Sequence, residues 1–214
     1  MMDVPEGALT RRALSFVQGN GRRLACDRAR RSAERWLEQG VDRGLVQRAL
    51  DYEHRWGDLY LPPSLAYNGG PQYLGPDLLL GSWADGGYLE AGPARYSVSY
   101  DFLLGPDGVL GVGDVDFVPL YASVEGWIES LALESLLRGL ATEVRRFTGP
   151  AVSGLDLSAT RPVPGVSGLS DIWLMDDERV VFLCRGYSLL ASVPADAFAV
   201  VYAGIPELEF NLDL

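Results

Sequence analysis

The stretch Leu120–Glu134, LYASVEGWIESLALE, decides the fold, because it joins an extended, sheet-like run to a long apolar helix. Ser123 is placed to cap that helix: its hydroxyl can accept a hydrogen bond from a first-turn amide, and Glu125 favours the same positive end. Val124, Trp127, Ile128 and Leu131 follow at i, i+3, i+4 and i+7. A second stripe, Leu133, Leu136, Leu137, Leu140 and Val144, lies on the opposite side at 100° per residue. The helix is therefore either buried on two faces or bent near Glu134, and it is expected to run to about Phe147, where Gly149-Pro150 ends it.

Upstream, Tyr96, Val98, Tyr100, Phe102 and Leu104 alternate with mostly polar residues as far as Gly105-Pro106-Asp107-Gly108, and extended character resumes over Val109–Val112 and Val115–Leu120. That pattern is an antiparallel meander. The Pro- and Gly-rich stretch from Pro62 to Pro93, with Asn68-Gly69-Gly70 as its clearest turn signal, has room for short strands near Gln72–Leu74 and Leu78–Trp83. Downstream, a hairpin is expected from Ile172–Met175 and Val180–Arg185 about Asp176-Asp177-Glu178, with another strand in Ala197–Ile205.

Residues 6–56 read as helical, interrupted at Gly19–Gly21 and Gly40. Asp42 is placed to cap the third piece, in which Leu45, Val46, Ala49, Leu50 and Trp56 form an apolar stripe. Helices, then sheet, helix and more strands make an α+β pattern: N-terminal helices, a central mainly antiparallel sheet with a long helix packed on it, and additional C-terminal strands. We divide the chain into a basic helical extension (1–40), a core (41–148) and a β-rich extension (149–214) packed on the same domain.

The chain has 214 residues, 48% of them hydrophobic, which is enough to bury an ordinary core. Its net charge of −11 argues against general affinity for nucleic-acid backbones and favours a basic partner. Residues 1–50 hold ten Arg against six acids, leaving eight Arg and 23 acids for the other 164 residues. Cys26 and Cys184 lie far apart without metal or redox spacing and are expected to be reduced, mostly buried thiols. Neither a signal segment nor a membrane span is visible, so a cytoplasmic location is expected.

Candidate chemistry is sparse. His54 is the single histidine, with no second ligand and no serine elbow to work with. Asp114 and Asp116 would share one face of a strand, and Glu125 and Glu129 lie one helical turn apart; either pair can hold a hard cation or simply form a solvated face. LGVGDV and YNGGPQYLG match no phosphate-loop pattern and read as turns. The aromatics Tyr60, Tyr67, Tyr73, Trp83 and Tyr88 gather in a loop-rich region, where they either offer a protein-binding surface or pack over the sheet edge. No catalytic set and no cofactor or metal site emerges.

Four segments, ALDYEHRWGDLYLPPS, YNGG, FLLGPDGVLGVGDVDFVPLYAS and SVEGWIESLAL, together resemble the SUKH superfamily of bacterial immunity proteins, with its Knr-type and Syd-type relatives. The resemblance spans roughly Val41 to Phe147. The chain departs from the family where only Pro63 to Tyr67 separate Leu-Pro from Asn-Gly-Gly, and in its two extensions, so it would be an extended member. The resemblance implies action by binding, without catalysis or cofactor, on a toxin domain such as a nuclease or deaminase with a basic surface. An intracellular scaffold of the same fold is the alternative, and a metal-dependent hydrolase using Asp114 and Asp116 a further one.

Overall fold

The computed structural model describes residues 7–24, 27–78, 83, 86–191 and 197–206. Three helices come first: α1 (Arg11–Asn20), α2 (Arg28–Glu38) and α3 (Arg43–Trp56). Thr10 caps α1 by accepting from the Ala13 amide, and Asp42 caps α3 through Leu45, each satisfying a donor that the first turn leaves unpaired. Asp27 makes no such bond to α2. Instead the Glu53 carboxylate of α3 accepts from the amides of Ala29 and Arg30, so one helix caps its neighbour. The two-residue strands β1 (Arg22–Arg23) and β2 (Leu59–Tyr60) pair and tie this helical region to the chain beyond it.

The meander follows as β3 (Leu89–Gly92), β4 (Asp101–Leu104), β5 (Leu110–Gly113) and β6 (Phe117–Tyr121), paired antiparallel in sequential order. Leu89, Phe102, Leu104, Leu110, Val112, Val118 and Leu120 face the core. The short strand expected near Gln72–Leu74 is reduced to single bridges, Pro71 with Ala94 and Leu74 with Leu59. Of the one expected at Leu78–Trp83, residues 79–82 lie outside the described residues.

Helix α4 spans Val124–Leu140, with the Ser123 hydroxyl accepting from the Gly126 amide at 3.3 Å. Trp127, Ile128 and Leu131 on one side and Leu133 and Leu137 on the other are all buried, so of the two readings the helix buried on two faces is the one realised. It does not reach Phe147. The chain turns extended at Ala141 (ψ 130°), and Glu143–Thr148 form strand β7. Thr142 and Val144 are β-branched and weak helix formers, and a six-residue ladder with a later strand outweighs what continuing the helix from Ala141 to Phe147 would contribute.

After β7 come the short α5 (Pro150–Ser153), β8 (Arg161–Pro162), β9 (Asp171–Met175), β10 (Arg179–Cys184), α6 (Gly186–Leu190) and β11 (Phe198–Ala203). The expected hairpin is β9–β10, and the expected last strand is β11. The tail strands do not extend the meander: they form a separate five-stranded antiparallel sheet in the order β7-β11-β10-β9-β8. One face of that sheet, with Trp173, Phe182, Val200 and Tyr202, shares a continuous core with α4 and the meander. The other face, Val181, Leu183, Ala199 and Val201, is covered by Val152, Leu155 and Leu157.

The fold is α+β, with α4 at its centre. The Ser130 hydroxyl joins Tyr121 of the meander at 2.9 Å and the Trp173 indole N–H of the second sheet at 2.8 Å. The Glu129 carboxylate accepts from the Arg12 guanidinium and the Thr10 hydroxyl, both at 2.8 Å, and fastens α1. Cys184 is a buried free thiol; Cys26 lies outside the described residues. No described helix is long and apolar enough to cross a membrane.

Candidate protein-binding surface

The outward face of the meander is built on two absent side chains. Gly111 and Gly113 alternate along β5 on the side away from the core, opposite Pro119 and Phe117 of β6. A Cβ at Gly111 would stand 2.5 Å from the Phe117 ring, and one at Gly113 would stand 2.8 Å from the Trp83 ring. The glycines thus let aromatic rings lie directly on the sheet. Trp83 packs edge-on to Tyr88 at 5.3 Å between centroids, and Tyr88 packs on Phe117 at 4.9 Å. All three rings remain partly exposed, while Leu103 beneath them is fully sealed.

Carboxylates rim this strip. Glu90 is opposite Leu103 and Asp101 opposite Gly113, so both share the outward face. Asp107, Asp114 and Asp116 are exposed in the turns at the two ends of β5. Burial, then the nearby Asp77 and Asp101, push the Glu90 carboxyl up to about 7, with Arg28 opposing. Partial burial and Asp114 raise Asp101 as well. Carboxylates that hold each other's protons on gain when a cation arrives, because the incoming charge favours the ionised form. The arrangement can take a basic, apolar-cored protein surface.

The five aromatics expected to act together occupy three environments. Trp83 and Tyr88 belong to this strip. Tyr60 and Tyr73 are partly exposed but engaged by arginines: Arg95 lies 4.8 Å over the Tyr60 ring and donates to its hydroxyl at 2.9 Å, and Arg28 donates to the Tyr73 hydroxyl at 2.6 Å. Tyr67 is buried and lies apart from the strip; its hydroxyl donates to Asp171 at 2.7 Å. The sequence reading missed Phe117, Glu90, Asp101 and the two glycines. The period-two G-x-G in LGVGDVDF, followed by an aromatic, carried the signal.

The remaining candidates disperse. His54 is exposed on α3. Asp114 and Asp116 stand in the β5–β6 turn rather than on one strand face, and no described His, Cys, Asp or Glu residues group to hold a metal ion. Glu125 pairs with Arg55 at 2.6 Å and Glu129 with Arg12 at 2.8 Å, so both helix acids are structural. The YNGG turn lies on the helix: a Cβ at Gly70 would stand 2.5 Å from the Trp127 ring. Comparison with protein-family models, with curated proteins and with solved structures yields no match for this chain.

Proposed function

We propose that the chain is a cytosolic immunity protein of the SUKH type, which neutralises a toxin domain by covering its basic substrate groove. The observation that carries the reading is the Trp83–Tyr88–Phe117 strip laid on bare glycines and rimmed by Glu90, Asp101, Asp107, Asp114 and Asp116. Opposite charge accelerates encounter, and desolvated aromatic anchors slow release. The role requires recognition alone.

The test is co-expression with the toxin-like product of an adjacent gene, scored for survival and co-purification. Trp83→Ala is expected to weaken the complex by about 30-fold or more, the loss typical of a buried aromatic anchor. Asp101→Asn with Asp114→Asn should slow association and reduce its salt dependence while leaving dissociation nearly unchanged. Complex formation at neutral pH should release protons, because a docked cation draws Glu90 below its free value. Failure both to protect and to co-purify would sink the proposal; co-purification with a resident cellular protein and no protection would favour a scaffold.

A further inference from the structure

A cavity of about 340 Å³ opens where the two sheets meet, at the YNGG turn and away from the aromatic strip. Its walls include Tyr67, Tyr100, Tyr187 and Phe198, with Cys184 at its base and Arg146 at its rim. Tyr100 is 5% exposed, and its hydroxyl has no hydrogen-bond partner among the described residues. A buried hydroxyl without a partner is costly and rare in folded proteins. Tyr67 and Asn68 sit side by side with φ of +55° and +49°, a left-handed conformation uncommon for an aromatic residue and concentrated at ligand sites. The Tyr67 hydroxyl, bound to Asp171 at 2.7 Å, holds that wall in place.

The charge at the mouth selects the ligand. The Arg146 guanidinium lies 4.0 Å over the Phe198 ring and forms no ion pair among the described residues. No described carboxylate lines the cavity. Asp171, behind it, is fully sealed and occupied by the Tyr67 hydroxyl and the Arg185 and Gly186 amides. A cation would meet Arg146 with no described carboxylate on the wall to offset it, whereas a carboxylate would meet a planar donor fork. The volume is near the lower end of the range of about 300–1,000 Å³ for small-molecule sites, and four aromatic walls favour a flat ring.

We infer that this cavity binds a small aromatic carboxylate, its ring held among Tyr67, Tyr100, Tyr187 and Phe198 and its carboxylate by Arg146. The site is independent of the protein-binding surface, so the two proposals fail separately.

Saturation-transfer NMR on the full chain, with benzoate, benzyl alcohol and benzylammonium as probes, tests it. Benzoate should bind best and benzylammonium worst. Arg146→Gln, at an exposed position, should weaken benzoate about tenfold and leave benzyl alcohol unchanged. Tyr187→Ala, which removes the exposed aromatic wall, should weaken benzoate and benzyl alcohol alike, several-fold. No saturation of benzoate, benzylammonium binding as well as benzoate, or both variants binding benzoate like the parent would each overturn the inference.

Discussion

Gly70 shows how much one missing side chain carries. It has φ +76° and stands against the Trp127 ring, where a Cβ would approach to 2.5 Å. Gly70→Ala should therefore cost about 2–3 kcal/mol, combining left-handed strain with displacement of a core indole, read as a lower urea midpoint at unchanged slope. Trp127 itself and its cap Ser123 were legible in the sequence, because spacing and capping are local. That Asn68-Gly69-Gly70 closes over Trp127 was not, since the contact joins residues more than fifty positions apart.

Glu90 supplies a second residue-level prediction. Its carboxyl is raised to about 7 in the folded protein, chiefly by burial and then by Asp77 and Asp101. The folded state therefore holds a proton that the unfolded chain has already released above the ordinary carboxylate range. Stability contributed by this site is present at low pH and is lost as pH rises towards 7. Glu90→Gln should flatten that decline and stabilise the protein at pH 7.5 by about 1 kcal/mol after solvent screening, as measured by denaturant titration across pH.

At the scale of elements, α4 is read correctly at its start and wrongly at its end. Its apolar stripes left two readings, burial on both sides or a bend near Glu134, and Trp127, Ile128, Leu133 and Leu137 are buried. Its stop at Leu140 depends on β11, more than fifty residues later, which takes residues 143–148 into a ladder. Periodicity cannot register a partner that distant. Ser130, a polar break in the apolar run, gives the sharpest test of how this helix connects the sheets. Ser130→Ala leaves the Trp173 N–H and the Tyr121 hydroxyl without their shared partner and should cost about 2 kcal/mol, with a changed near-ultraviolet circular dichroism signal from the indole.

For the whole molecule, one core serves both principal sheets. Trp173, Phe182 and Tyr202 from the tail lie in the same cluster as Phe102, Val112 and Leu120 from the meander. Unfolding in urea should therefore follow a single transition, with far-ultraviolet circular dichroism and tryptophan fluorescence coinciding; two separated transitions would show that the sheets are energetically distinct. A chain ended at Thr148 should fail to fold, because β7 would lose β11 and α4 would lose the cover of Trp173. The α+β class was legible from the order of patterns along the chain. The split into two sheets was not, because alternation marks a strand without saying which neighbour it joins.

The bare glycines of β5 bear on how such a surface can change over generations. Trp83, Tyr88 and Phe117 stand outside the core cluster, so exchanging them alters the face while leaving the interior intact. Gly111 and Gly113 have no such latitude, since any larger residue evicts a ring. The face is thus a fixed mount carrying interchangeable fittings, and a lineage pressed to follow a diverging partner can vary the fittings freely as long as the mount stays bare.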